Sequence, residues 1–281
     1  MGKIKRSICY TKISLADTLD SGHVVVVAAV VSLIILMIYS CVGNYLRDTD
    51  TVISAFELLP AVLYDKRVSM IAICGFILLI CDVPHTMGNG MLYLVRGSKV
   101  EWITGQAFYV AAVAGLYLLF MWGITLLSLV PQFIISSGWT DSFVGLCRNP
   151  EVLDDKWGVV LREIYQASQT ALEVFAKSML LHFLLFIMMG YVCMFFQAMS
   201  KNVTGYLILG MMICMDIGID LIEVLIPKSV IDVRYFSPVT MAQSCGNRIS
   251  MPFVYVISVY LAVSIVFFGM TCVIVKKNSV S

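Results

Sequence analysis

The sequence predicts an all-α, polytopic integral membrane protein with six transmembrane helices, and two observations carry that prediction. Sixty per cent of the 281 residues are hydrophobic and only 13% are charged, with a mean hydropathy of +0.91. A soluble domain is roughly 45–50% apolar and about 25% charged, so water would meet a surface this chain cannot furnish with charge. The same figures exclude a disordered chain, which is poor in large apolar residues. The second observation is that the apolar excess falls in blocks of about 20 residues, the length of helix that crosses a hydrocarbon core about 30 Å thick.

The blocks lie at 24–42, 68–84, 107–134, 178–199, 204–226 and 253–275, nearly half the chain in one transmembrane domain, 1–281. The first carries no charge and exceeds the h-region of a signal peptide, so it reads as an uncleaved anchor. The second is short, carries Asp82 and meets Pro84. The third, Ala107 to Ile134, is long enough to tilt or to bend at Pro131. Continuous apolar runs, without strict alternation, exclude a β-barrel. Lys3, Lys5, Arg6 and Lys12 precede the first span, and Lys276 and Lys277 follow the last. Basic residues flanking both ends place both termini in the cytoplasm by the positive-inside rule.

The connecting segments are then an inner loop at 85–106 and outer segments at 43–67, 135–177 and 227–252. None is long enough for a soluble enzyme domain. Apolar residues at spacings of three and four, from Trp157 to Phe175, predict an amphipathic helix over Asp154–Ser178. The stretch Thr51–Tyr64 reads as a surface segment. Pro227, Pro238 and Pro252 punctuate a half-apolar segment, which is expected to dip into the protein, since irregular backbone at membrane depth must be satisfied there.

All charges inside the spans are acidic: Asp82, Asp216, Asp220 and Glu223. At 100° per residue the last three lie within about 60° of one another on the fifth helix. An ionisable group at such depth is a functional candidate, so Asp216, Asp220 and Glu223 are expected to line a translocation path or a subunit interface. The competing reading has them protonated, or paired with Lys228, Arg234 or His182, as a helix lock. His182 itself reads as a hydrogen-bonded packing residue. His23 and His85 stand apart from any cysteine or second histidine at ligand spacing, so no metal site is expected. Of nine cysteines only Cys147 and Cys245 fall in outer segments, and a disulfide between them is left open. The chain has no G-x-x-x-x-G-K-[ST], G-x-S-x-G, H-E-x-x-H or C-x-x-C. No catalytic residue is therefore assigned, and nothing points to nucleic acid.

The run MLYLVRGSKVEWITGQAFYV at 91–110 resembles a pattern in permease subunits of bacterial type-2 ABC transporters. There it forms the inner loop between the second and third spans that touches the ATPase. The resemblance extends to six spans, a basic amino-terminal arm (Lys3–Ser14) similar to the family's amphipathic elbow, and the proline-containing last outer loop. It implies a type-2 ABC exporter permease fold, with Arg96, Lys99 and Trp102 as the ATPase-coupling loop and Phe236 and Pro238 at an outer gate. It also implies a separate ABC ATPase binding ATP and Mg, and pairing as a homodimer or with a second permease. The implied activity is export of an amphipathic peptide, drug or lipid across the cytoplasmic membrane. The acidic stripe and the long third outer segment depart from the family pattern. A proton-coupled secondary transporter and a non-transporting scaffold or immunity protein are the alternatives.

Overall fold

The architecture is taken from a computed structural model, which describes residues 3–80, 83, 98–149, 155–200, 204–225, 235, 237–246 and 251–277; for 3, 4, 155–159, 200, 204–206, 215, 217 and 220–225 it describes the backbone alone. Among the described residues the chain is all-α apart from one two-residue strand pair. Four helices among the described residues are long and apolar enough to cross a membrane: Gly22–Asp48, Lys99–Leu129, Ala171–Met199 and Phe253–Lys277. Their lipid-side residues, such as Val25, Leu33, Met37, Leu119, Ile265 and Val273, are exposed in the isolated chain, as expected of helices whose solvent is hydrocarbon.

The amino-terminal arm is a helix, α1 (Lys3–Leu19). It is followed by α2 (Gly22–Asp48), which ends near β1 (Ile53–Ser54). A short helix, α3 (Leu58–Tyr64), leads into α4 (Lys66–Leu79). The rod α5 (Lys99–Leu129) follows, with Ser98 capping it by accepting from the Glu101 amide at 3.2 Å. The third apolar block was expected at 107–134, and the helix instead starts at this cap and stops before Pro131. Beyond that proline, β2 (Phe133–Ile134) leaves helical geometry to pair in parallel with β1. The Ile53 amide donates to the Gln132 carbonyl at 3.1 Å, and the Ala55 amide to the Ile134 carbonyl at 2.9 Å. A proline cannot continue the ladder of a helix, and the strand pairing satisfies the backbone it frees.

Both α2 and α5 run toward this strand end, because Gly43 meets Ser128 there and Arg47 donates to the Val130 carbonyl at 2.9 Å. A Cβ at Gly43 would lie 2.3 Å from the Ser128 carbonyl oxygen, so only glycine lets the two helices approach this closely. α4 returns between them. The Tyr117 hydroxyl donates to the Ala72 carbonyl at 2.9 Å, and Phe76 stacks on Phe186 with ring centroids 4.5 Å apart. With 14 residues, α4 spans about 21 Å, less than a bilayer core. Residues 81, 82 and 84 of the second apolar block, Asp82 among them, lie outside the described residues.

The segment after β2 builds a cap at the strand end from α6 (Asp141–Arg148) and α7 (Asp155–Ile164). The helix predicted over Asp154–Ser178 is two helices, α7 and α8 (Ala171–Ser200), broken at 165–170. The Trp139 indole donates to the carbonyls of Gln166 at 3.1 Å and Gln169 at 2.7 Å, which draws this backbone out of helical geometry. Thr170 and Glu173 then restart the helix as a reciprocal capping box, each amide donating to the other's side chain at 3.3 Å. From there α8 runs away from the cap, antiparallel to α5, with Phe175 beside Trp122 and Gly190 against Val110. α9 (Thr204–Leu225) returns toward the strand end, α10 (Pro238–Ala242) is one short turn, and α11 (Phe253–Lys277) runs away again.

Glu57, not singled out by the sequence, organises the cap. It is fully buried. Its carboxylate accepts from the Ser54 amide at 2.6 Å, from the Thr140 amide, and from the Thr140 hydroxyl at 3.0 Å. β1 is thereby tied to the start of α6. Burial raises its pKa from 4.5 in spite of these donors. The folded chain therefore binds its proton more tightly than the unfolded chain, and stability contributed here falls as pH rises from 4.5 through the raised value. Thermal unfolding of purified protein between pH 4.5 and 8 should show that decline, and Glu57→Gln should flatten it while lowering the melting temperature. An unchanged slope in the variant would assign the decline to other groups.

Candidate functional site

The fifth apolar block forms one helix, α9, that carries Asp216, Asp220 and Glu223. Asp216 lies nine residues before Leu225, about 14 Å along the helix from its strand-end terminus, and it is completely buried. An ionised carboxylate there must be matched by charge and hydrogen bonds. The match comes from three residues on two elements distant in sequence. Lys66, the first residue of α4, places its Nζ 3.0 Å from Asp216 Oδ2 and donates to the Asp216 carbonyl at 3.0 Å. The Ser237 hydroxyl donates to Oδ1, and the Thr240 hydroxyl donates to the same oxygen at 2.6 Å.

Each partner is aimed by local structure. Asp65 caps α4, accepting from the amides of Arg67 at 2.9 Å and Val68 at 3.4 Å. The cap fixes the first turn so that Lys66 points into the bundle, while Arg67 folds back on Asp65 with 3.3 Å between charges. Ser237 caps α10, accepting from the Thr240 amide at 3.1 Å, and Pro238 sits at the first helical position where no amide is needed. Ser237 and Thr240 thus lie on one side of a single turn, both facing Asp216.

The consequence is a re-entrant connection. The chain leaves α9 at the strand end and comes back to the depth of Asp216 before entering α11. Val239, Thr240, Met241 and Ala242 of α10 are all buried. The Tyr260 hydroxyl of α11 donates to the Pro238 carbonyl at 2.6 Å, and Gln166 donates to the Cys245 carbonyl at 2.6 Å. Gly246 lies flat against the Tyr64 ring, where a Cβ would come within 2.1 Å. The turn therefore plugs the strand end of the bundle between α3, α8, α9 and α11.

Asp216 lies on the helix of the fifth apolar block, and its ion-pair partner is Lys66, which was not among the expected partners. Lys228 and Arg234 lie outside the described residues. His182 is buried but spends Nδ1 on the Ser178 carbonyl at 2.9 Å. Lys66 begins α4 at its strand end and reaches inward, which hydropathy cannot register. Asp220 and Glu223 are on α9, but their side chains lie outside the described residues. Phe236 does also, whereas Pro238 opens the plug. Arg96 lies outside the described residues too, and Lys99 opens α5. Trp102 is buried at 4% exposure in the first turns of α5, and Glu101 beside it pairs with Arg6 at 3.5 Å. Lys99 and Trp102 therefore belong to a helix, not to a loop. Cys147 and Cys245 are both free thiols. Cys147 donates to the Leu161 carbonyl at 3.4 Å, and burial pushes its pKa up to about 12. Among the described residues, no group of three or more His, Cys, Asp or Glu could hold a metal ion.

The arrangement acts as a lock: it binds a turn of backbone to a mid-bundle charge. Lys66→Met should destabilise the folded chain by about 3–5 kcal/mol, because it leaves the buried Asp216 carboxylate without its cation, and Asp216→Asn should cost less, because the Lys66 side chain keeps 27% of its surface exposed. The double variant should cost less than the sum of the two, in a double-mutant cycle read by thermal or denaturant unfolding. Additive losses would mean that the two groups do not interact.

No protein-family model matches this chain and no curated protein matches it, so the reading of the site rests on its geometry.

Proposed function

We propose that the chain is the membrane-spanning permease subunit of an ATP-driven exporter, with six spans and the architecture of type-2 ABC permeases. The observation that carries this reading is the plug: a short turn between the last two long helices held at bundle depth by Asp216, Lys66, Ser237 and Thr240. A scaffold has no need to close one end of its bundle with a separable turn. An exporter needs such a closure, held by contacts that can be exchanged.

In this reading both termini and α1 face the cytoplasm, in the cell membrane, and the cap faces outward. A separate ATPase binds ATP and Mg and meets the chain at Arg96 and at Lys99, the latter at the foot of α5. This 31-residue helix is about 46 Å long and reaches from that foot to the cap. At the far end it leads through Pro131 into the β2–β1 pair, then through Glu57 and α3 to Lys66. Displacement at the foot thus has a continuous packed route to the lock. The permease pairs with itself or a second permease, and an amphipathic peptide, drug or lipid moves along the seam. The chain contributes no bond-making chemistry; hydrolysis belongs to the partner.

The proton-coupled alternative is disfavoured at Asp216, whose oxygens are engaged by an ammonium and two hydroxyls. The same engagement favours a static scaffold as the second reading. Affinity purification in mild detergent separates the two. The exporter reading expects an ATPase to co-purify, and Arg96→Glu with Lys99→Glu should reduce both its recovery and its activity at least tenfold. Unchanged recovery would remove the coupling role from these residues, and absence of any ATPase would favour the scaffold.

A further inference from the structure

Beside the joint between α1 and α2 lies a cavity of about 190 Å³, remote from the lock. Its walls are Leu15 and Leu19 of α1, Val24, Val27 and Ala28 of α2, Leu79 of α4, and Val113, Leu116, Tyr117 and Phe120 of α5, with Thr18 contributing the remaining side chain. Thr18 is already engaged, bonded to the Tyr109 hydroxyl at 2.6 Å and to the Ser14 carbonyl at 2.8 Å. The lining therefore offers no hydrogen bond to water, and apolar cavities of this order stay dry. At its mouth Leu19 is 59% and Leu116 50% exposed, so the cavity opens onto the outer surface of the bundle. Both α2 and α5 are long and apolar enough to cross a membrane, so acyl chains are the apolar medium such helices meet.

The α1 helix explains what enters. Its small polar face is turned inward. Ser7 donates to the Glu101 carbonyl at 3.0 Å, Thr11 to the Gly105 carbonyl at 2.9 Å, and Gln106 to Ser14 at 2.9 Å. Gly105 permits the contact, since a Cβ there would meet Tyr10 at 2.7 Å and the Ser7 carbonyl oxygen at 2.9 Å. With that face spent on α5, the stripe Lys5, Ile8, Lys12, Leu15, Leu19, spaced three and four apart, lies on another side of the helix. Lys5 and Lys12 are exposed. Asp17 projects from the opposite flank of the helix. The stripe changes from basic to apolar in the direction of the membrane, and its apolar end forms a wall of the cavity.

The geometry points to a binding site for one anionic phospholipid of the leaflet on the amino-terminal side, its phosphate at Lys5 and Lys12 and an acyl chain in the cavity. The lipid would brace the α1–α2 joint against α5. This site requires only that the chain is membrane-embedded, whichever partner the bundle has.

Native mass spectrometry of the detergent-purified full chain tests it, using phosphatidylglycerol and phosphatidylcholine with identical acyl chains. The wild type should hold one phosphatidylglycerol about thirtyfold more tightly than phosphatidylcholine, on the scale of two lysines near an anionic headgroup. Lys5→Gln with Lys12→Gln, both at the surface, should abolish the preference while leaving phosphatidylcholine bound. Ala28→Trp, which fills the cavity, should weaken both lipids. Glycerol phosphate should not displace the bound lipid. Equal affinity of the wild type for the two lipids, a preference that survives loss of both lysines, or displacement by glycerol phosphate would each overturn the site.

Discussion

A single buried carboxylate constrains the strand end of this bundle. Asp216 sits mid-helix in α9 with no exposure to solvent, where hydrocarbon and apolar side chains cannot stabilise its charge. Everything near it follows from that requirement. The first turn of α4 must point a lysine inward, and Asp65 holds that turn in place. The last connection must re-enter the bundle to supply two hydroxyls, and Ser237 and Pro238 form the turn that does so. Tyr260 and Gly246 then fit α11 and α3 around the returning backbone. A charge that would otherwise be a liability becomes the means of joining four elements far apart in sequence.

A second buried carboxylate, Glu57, is handled differently. Among the described residues no cation lies in contact with it; instead it takes two backbone amides and a hydroxyl, which tie β1 to the start of α6. Glu57 lies at the start of α3, and Asp216 meets Lys66 at the junction of α3 with α4, next to its single capping residue, Asp65. The cap and the lock are in this way parts of one connected structure, and α5 is the rod that reaches it from the other end of the molecule.

Much of this fold was legible in hydropathy. The blocks at 24–42, 178–199, 204–226 and 253–275 each coincide with a helix, because burial in hydrocarbon demands continuous apolar sequence. Local chemistry was read only in part: Pro131 was noted as a bend, but the capping box Thr170-x-x-Glu173 was passed over, and one helix was expected across the break it follows. What escaped were pairings set by tertiary structure. Lys66 lies outside every apolar block yet supplies the partner of Asp216. Glu57 carries no periodic signal. The β1–β2 pair is two residues long on each side, too short for alternation to show. The prolines of 227–252 did suggest a segment that dips into the protein, and Pro238 opens a buried helical turn within it, but the hydroxyls that hold it could be recognised only with Asp216 beside them.

The central claim is that Asp216 holds the re-entrant turn in place, and Cys245, just beyond that turn, reports on it directly. In a variant keeping Cys245 as the sole cysteine, a membrane-impermeant maleimide should react slowly. Adding Asp216→Asn should free the turn and raise the rate at least tenfold, with Asp216→Glu intermediate. Equal labelling rates with and without the Asp216 carboxylate would contradict the account.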